Sequence, residues 1–453
     1  MLLNTASKTL SGWGRYHPKD CAVFRPERNS ELKSFLEASG DQSFIPRGLG
    51  RSYGDTAVNE AGLVLDMCRL NRMRHFDETT GILDCEGGVS LAEILETFVP
   101  RGWFLPVTPG TKFVTVAGAI ANDVHGKNHH GDGTFARFVH SLELWTPALG
   151  VVTCSPSENS EIFWATVGGI GLTGVILSAK IQLRAVESAY VKVDYQRCPH
   201  LDAVLEEMES RDRDYLYSVA WIDCLAKRAH LGRSILMRGA HARVRDLPRR
   251  HEEKPYKFSR RPPLAVPIDF PGFVLNNLSI KTFNTLFYRI NRNRQEVITN
   301  YESYFYPLDG IHDWNRMYGR RGFIQYQAAF PFEGRMGLVS MLEMLSEQKR
   351  ASFLAVLKCF GPSNPGLLSY PMPGYTLALD IPCKPGIEEF TRELDRILLD
   401  HGGRLYLAKD SLTDSATFAA MYPGVEAFRE QCALLDPQGL LSSAQARRLH
   451  LIK

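Results

Sequence analysis

Two textures of hydrophobic and polar positions divide the chain. From Cys21 to about Val186, short apolar runs alternate with stretches of helical period and are punctuated by glycine. SFIPRG, GLVLDM, GILDCEGG, FVTVAGAIA, HSLELWTPALGVVTCS and TGVILSAKIQL have the length and β-branched content of strands, whereas SLAEILETFVPRG and NSEIFWATVGG carry apolar residues at helical spacing. From about Tyr190 to about Gly403, YVKVDYQ, YLYSVAWIDCL, GFIQYQAAFPF, ASFLAVLKCFG and GYTLALDIP alternate apolar with polar residues, as strands of an antiparallel sheet with one wet face do. LDAVLEEMESR and GIEEFTRELDRILLDHGG read as helices between them. The segment 226–263 is strongly basic and poor in apolar periodicity, which predicts a mobile loop. The pattern predicts an α+β fold of two domains, 1–188 and 189–403, the second an antiparallel sheet backed by helices, with residues 404–453 returning to the first.

Composition narrows the function classes. The 453 residues are 44% hydrophobic and 23% charged, so a large core forms, and a formal net charge of +3 is too small to make the whole surface a nucleic-acid magnet. The nine cysteines are odd in number, scattered and without a C-x-x-C pair, which points to a reducing compartment and away from a structural zinc site. The first twenty residues lack the basic start and apolar run of a secretory signal, and no window reaches the roughly 18 apolar residues of a membrane span. The expectation is a protein made in soluble form, cytoplasmic or peripherally attached to a membrane.

Candidate chemistry begins with PRGLGRSYGD, from Pro46 to Asp55, which sets glycines and a serine around two arginines. Glycines there let backbone N–H groups approach a phosphate without Cβ obstruction, although the same letters also make an ordinary tight turn. A second small-residue segment, TPGTKFVTVAGAIANDVHGKNHH, favours the phosphate reading and adds His125, Lys127, His129 and His130. The glycine and lysine interleaved in that histidine cluster argue against a metal. A third, TVGGIGLTGVI, also reads as a closely packed turn. The usual dinucleotide fingerprint is absent, because the glycines of GLGRSYG are not followed by a helix-period apolar run. Lys358 and Lys409 sit in otherwise apolar segments, AVLKCF and LYLAKDS, where a solvated surface lysine is less expected. Gln325 and Gln327, two apart on a strand, share one face and suit either sugar hydroxyls or the wet side of an edge strand.

In this order and spacing, PRGLGRSYGD, PGTKFVTVAGAIANDVHGKNHH and FWATVGGIGLTGVI resemble the PCMH-type FAD-binding domain of the vanillyl-alcohol-oxidase superfamily. YSVAWID, WNRMYG, GFIQYQ, FLAVLKCFGP and GGRLYLAKDS extend the likeness over nearly the whole chain. They make it closest to the decaprenylphosphoryl-β-D-ribose 2-oxidase family, the flavin half of the epimerase that makes the arabinose donor for cell-envelope polysaccharide.

The resemblance implies FAD held by Arg47, Gly48, Leu49, Gly50, Arg51, Ser52, Tyr53, Gly54 and Asp55, joined by Gly110, Thr115, Val116, Ala117, Gly118, Asn122, Asp123, Val124, His125 and Ile176, with Tyr406 touching the flavin. Tyr53 and Gly54 stand where many superfamily members carry a flavin-linking histidine, so the cofactor is expected to be non-covalent. Lys409 is implied beside the isoalloxazine and Lys358 in the substrate pocket. An ammonium at Lys409 would offset charge that builds on a flavin accepting hydride at N5, and a desolvated lysine can equally act as base for the hydroxyl proton. His125, Lys127, Tyr53, Trp221, Gln325, Gln327, Thr376 and Ala378 are implied to complete the pocket.

Ala378 departs from the family, in which many members have cysteine, and Thr376 replaces a common asparagine. The family's covalent nitroaromatic inhibitors use that thiol, so none should attach here. The implied reaction is oxidation of the ribose C2 hydroxyl of a lipid-linked sugar phosphate. The implied partners are an NAD(P)H-dependent short-chain reductase, a quinone or other electron acceptor and a membrane surface met by the basic loop, with no nucleic acid. Two other readings remain: oxidation of a soluble alditol or aldonolactone, and a non-catalytic flavin-binding scaffold.

Overall fold

A computed structural model describes residues 5–452 apart from 39, 260–261, 263, 272–273, 349, 351 and 353. The first domain holds two sheets. One orders Ala6–Leu10, Lys19–Phe24, Leu63–Asp66 and Phe44–Arg47, its last three strands parallel, and the other is an antiparallel array of Met73–Asp77, Ile82–Glu86, Val175–Gln182, Val139–Thr146 and Gly150–Cys154. The second domain is one eight-stranded antiparallel sheet ordered Arg294–Asn300, Tyr190–Cys198, Ser234–His241, Tyr217–Ile222, Ala355–Phe360, Gly374–Pro382, Phe323–Pro331 and Arg404–Leu405.

The period of two explains how this large sheet serves two purposes. Tyr326 faces the helix Ile387–Asp400, donating its hydroxyl to Asp395 Oδ1 at 2.6 Å, while its neighbours Gln325 and Gln327 point to the opposite side. Leu357, Leu377 and Leu379 join the helix-side core with Leu338, Met341 and Leu394. Val356, Lys358 and Ala378 stay on the opposite face. The helices thus cover one face by apolar burial, and the other is left for the first domain to close.

Two sequence expectations fail. FVTVAGAIA is a helix over Val116–Ala121 rather than a strand: Thr115 caps it, its Oγ1 accepting from Gly118 N at 3.1 Å, and the cap outweighs the β propensity of the valines. The basic segment 226–263 contains the strand Ser234–His241, hydrogen-bonded on both sides within the large sheet. Arg238 misled the reading, because it is buried and neutralised there by Glu207 and bonded to Gln196, at 3.1 and 2.5 Å. Arg260, Arg261 and Pro263 of that segment, and Phe353 of FLAVLKCFGP, lie outside the described residues.

Residues beyond the strand Arg404–Leu405 fold back onto the first domain. Phe44 N donates to Leu440 O at 2.6 Å and Ser442 N to Phe44 O at 3.0 Å, which extends the first domain's parallel sheet edge with chain from far along the sequence. Among the described residues, no helix is long and apolar enough to cross a membrane.

Candidate active site

A cleft of about 310 Å³ separates the two domains. One wall is mostly backbone. The loop 47–53 supplies Gly48 and Gly50, and a Cβ added to Gly48 would fall 2.3 Å from Thr115 Oγ1, so only glycine lets the two loops meet. Gly110, Thr115, Ala117, Gly118, Asn122, Val124, Gly171, Gly174 and Ile176 continue this wall. Arg47 braces the loop instead of reaching out, donating to Ala57 O and Ser11 O at 2.9 and 2.8 Å. Arg51 lies flat over Trp13, its guanidinium carbon 3.9 Å from the ring centre.

The opposite wall is a grid of side chains fixed by strand register. Gln325 pairs across from Asp380, Gln327 from Ala378, Ala378 from Val356 and Lys358 from Thr376. Gln325 Nε2 donates to Asp380 Oδ1 and, at 3.3 Å, to Tyr53 OH. Gln327 Nε2 donates to His125 Nε2 at 2.9 Å and to Thr376 Oγ1 at 3.3 Å. With Nε2 accepting, the His125 proton sits on Nδ1. Burial, with lysines nearby, holds the His125 pKa well below its ordinary 6.5 and keeps the ring neutral.

Lys409 reaches this grid from the C-terminal return. Tyr53 N donates to Ala408 O at 2.8 Å, which binds the return to the first loop, and Lys409 Nζ rests 3.8 Å from the Tyr53 ring centre. Gly54 carries the same junction: a Cβ there would lie 1.9 Å from Asp410 O. Burial drives the Lys409 ammonium down from 10.5, while the charge of Asp380 opposes that fall. The same burial drives Asp380 up from 3.8, with Gln325 and Lys409 restraining it. Lys358 is pushed down to about 8 by burial alone. Three basic groups and one carboxylate therefore crowd the floor of a cleft with little bulk water to solvate them; His125 stays neutral, while burial draws the two lysines down and Asp380 up toward neutrality.

Several residues expected at the site lie off its surface. Lys127 donates to Tyr304 O and its ammonium lies 4.1 Å from the centre of that ring. Trp221 packs on Phe287, ring centres 4.7 Å apart. Thr376 stands behind Gln327, where it also meets Tyr370 OH at 2.7 Å. Asp55 is an ion-pair partner of Arg448 at 2.7 Å, Val116 is core, and the Asp123 carboxylate is used by Asn364 and Ser369 at 2.6 and 2.5 Å. Gly54 serves the loop junction described above. The sequence reading missed Trp13, Leu308, Asp309, Trp314, Val356 and Asp380. The first five line the cleft, and Asp380 lies beneath it. Asp380 was legible in principle, being two residues beyond Ala378 on the same strand face, where an acid among apolar neighbours needs a partner.

The cleft fits a long, polar and partly flat molecule. Arg51 Nε, Thr56 Oγ1, Asn122 Oδ1 and His125 Nδ1 all belong to lining residues, are buried and have no hydrogen-bond partner among the described residues. Leaving such groups unmet costs about 1–3 kcal/mol each, which a bound ligand relieves. Loops 47–53 and 110–118 suit a dinucleotide diphosphate and the lysine-bearing grid an electron-accepting ring. Such a cleft defines a flavoprotein oxidoreductase, and the profile of the FAD binding domain family matches residues 21–155. The decaprenylphosphoryl-β-D-ribose oxidase of Mycolicibacterium smegmatis is 40% identical over 99% of this chain and 98% of its own. The chain belongs to that protein's family. A protein of Streptomyces coelicolor from the mprA 5′ region, itself uncharacterised, is 34% identical over 80% of this chain and all of its own. Cytokinin dehydrogenase 10 of Oryza sativa is 30% identical over 44% of this chain and 38% of its own.

Proposed function

We propose that the protein oxidises the C2 hydroxyl of a polyprenyl-phosphoryl-β-D-ribose to the 2-keto sugar, the first half of an epimerisation. The observation that supports this most is the buried constellation of Lys358, Lys409, Gln325 and Gln327 opposite a glycine-lined wall, in a chain 40% identical to a relative named for that substrate. FAD, when bound along the loops 47–53 and 110–118, supplies the acceptor for two electrons and a proton equivalent. Gln325 and Gln327 hold sugar hydroxyls. Lys409, its amine made available by burial, takes the hydroxyl proton, and the charge of Asp380 behind Gln325 stabilises the ammonium that forms. Lys358, mostly cationic at neutral pH because burial brings it only to about 8, steadies the negative charge on the sugar oxygen as its proton leaves. Trp13 and Trp314 wall the cleft against bulk water.

The cofactor is held without a covalent bond. Tyr53 and Gly54 stand where many members of the superfamily carry the flavin-linking histidine, and among the described residues no cysteine lines the cleft. Acid precipitation should leave all flavin in the supernatant, and yellow colour in the pellet would refute this. The keto product calls for a separate NAD(P)H-dependent reductase that returns the inverted alcohol, and a quinone or similar acceptor completes the cycle.

The deciding experiment is anaerobic mixing of the flavin-loaded protein with lipid-phosphoryl ribose. Bleaching of the flavin is expected. Bleaching by a soluble alditol or aldonolactone and none by the lipid-linked sugar would overturn the reading.

A further inference from the structure

The helix Asn277–Ile290 has an inner face that is fully accounted for. Ile280 and Asn284 are buried, Asn284 Nδ2 donates to Asp223 Oδ1 at 2.8 Å, Thr285 accepts from Arg233 at 3.2 Å and Phe287 packs on Trp221. Its outer face carries aliphatic side chains interleaved with Ser279, Thr282 and Arg289. Leu278, Leu286 and Ile290 are 74, 52 and 73% exposed, and their spacing of eight and four residues places them along roughly a third of the helix circumference. Leu264 and Ile268, 69 and 64% exposed, lie on the chain that precedes the helix. A grouped set of aliphatic side chains in water costs free energy that a cover would recover.

Charge indicates the cover. Between Asp269 and Glu296 the sequence has no acidic residue, while Lys281, Arg289, Arg292 and Arg294 are all present and exposed. Aliphatic residues interleaved with Arg289 and flanked by Lys281 match a helix lying in the headgroup layer of an anionic bilayer, with the alkyl groups below and the long cationic side chains reaching up to phosphate level. Position adds a reason. The strand Leu264–Ala265 pairs with Ile311–His312, between the cleft residues Leu308 and Trp314, and Leu275 packs into the cluster of Tyr53 and Trp314. A bilayer meeting this helix meets the rim of the cleft.

We propose that the outer face of Asn277–Ile290, with Leu264 and Ile268, is a membrane-docking surface for anionic lipid that brings the cleft to a lipid-borne substrate. The last clause rests on the function proposed above; the docking does not. This moves the membrane contact from the basic segment 226–263, whose central strand is inside the sheet, to the helix that follows it.

The test is sedimentation of the flavin-loaded protein with vesicles of phosphatidylcholine alone or mixed with phosphatidylglycerol. Binding is expected only to the mixed vesicles and should fall with salt. L278D/L286D/I290D should weaken it at least tenfold. K281E/R289E should do the same, since each basic residue at an anionic surface contributes about a fivefold gain in affinity. Neither variant touches the cleft, so both should bleach with a short-chain, water-soluble prenyl-phosphoryl ribose at the wild-type rate. If that sugar fails with the wild type while the vesicle pattern holds, the substrate reading falls and the docking surface stands. The docking proposal is overturned if the wild type ignores mixed vesicles, if it binds phosphatidylcholine alone equally well, or if both variants bind as the wild type does. It is also overturned if the aspartate variant merely turns a dimer into a monomer, which would assign the face to a second copy.

Discussion

The two walls of the cleft are built from different materials. On the side of the first domain, contact is made by peptide groups that glycines expose, and the side chains there, such as Arg47, mostly hold the loops in shape. On the side of the second domain, the backbone of the grid is committed to a sheet, and Gln325, Gln327, Val356, Lys358 and Ala378 are side chains whose places follow from register. A wall of backbone binds one molecule of constant shape, whereas a wall of side chains can be revised one position at a time. The first suits a cofactor and the second a reaction and its substrate. Substitutions should therefore separate cleanly: those on the glycine side should lose flavin, and those on the grid should keep flavin and lose rate.

The largest effect should come from the grid. Lys409→Ala should bind FAD as the wild type does and slow anaerobic bleaching by about a thousandfold, the size expected for a lost proton acceptor in a buried site. Bleaching at the wild-type rate would remove Lys409 from the chemistry. On the other wall, Gly54→Ala has no room beside Asp410 O, and forcing the junction apart should cost about 2 kcal/mol or more. It should be purified with substoichiometric flavin, read from the ratio of flavin absorbance to protein absorbance. If Gly54→Ala retained full flavin but lost rate, the division of labour between the walls would be wrong.

Smaller effects sharpen the picture within the grid. Gln327→Leu removes the donor to His125 and a candidate sugar contact, and should raise KM and lower the bleaching rate, together by about 10–100-fold. The pH profile follows from two lysines of opposite duty. The base Lys409 must be neutral and gains activity as pH rises past its depressed pKa. Lys358 must be charged and loses its proton as pH rises through about 8. The product is a bell whose alkaline limb Lys358→Arg should shift upward, since a guanidinium keeps its charge. A profile unmoved by Lys358→Arg would show that its charge is idle. The smallest effect concerns Ala378, which lines the cleft between Gln327 and Val356. Turnover of a nitroaromatic inhibitor should leave the wild-type mass unchanged by mass spectrometry, while Ala378→Cys should gain the mass of one adduct.

Much of this difference between walls is legible along the chain. The strand geometry of GFIQYQAAFPF and GYTLALDIP is enough to put Gln325 and Gln327 on one face of their strand and Ala378 on one face of its own, because a side-chain period of two leaves no other choice. The glycine loops mark where the backbone is bare. Two kinds of feature are hidden. Lys127, Thr376 and Trp221 lie close to cleft residues in sequence or register yet turn to other partners, and which neighbour wins a side chain depends on packing at a distance of 177 residues in the case of Lys127 and Tyr304. The strand Ser234–His241 is concealed by Arg238, since a charge reads as solvent-facing until Glu207 is brought beside it.

The seam between the first loop and the C-terminal return has a consequence for how the protein comes to exist. Tyr53 is tied to Ala408, Phe44 to Leu440 and Asp55 to Arg448, so a cleft begun early in synthesis is finished by residues made much later. While the ribosome still holds those residues, the nascent first domain has its glycine loops but no Lys409 and no partner for its edge strand at Phe44. Capture of the cofactor must therefore wait for their emergence, and a message truncated before the codon for Ala408 would yield a translation product without Lys409 and without the partner of Tyr53.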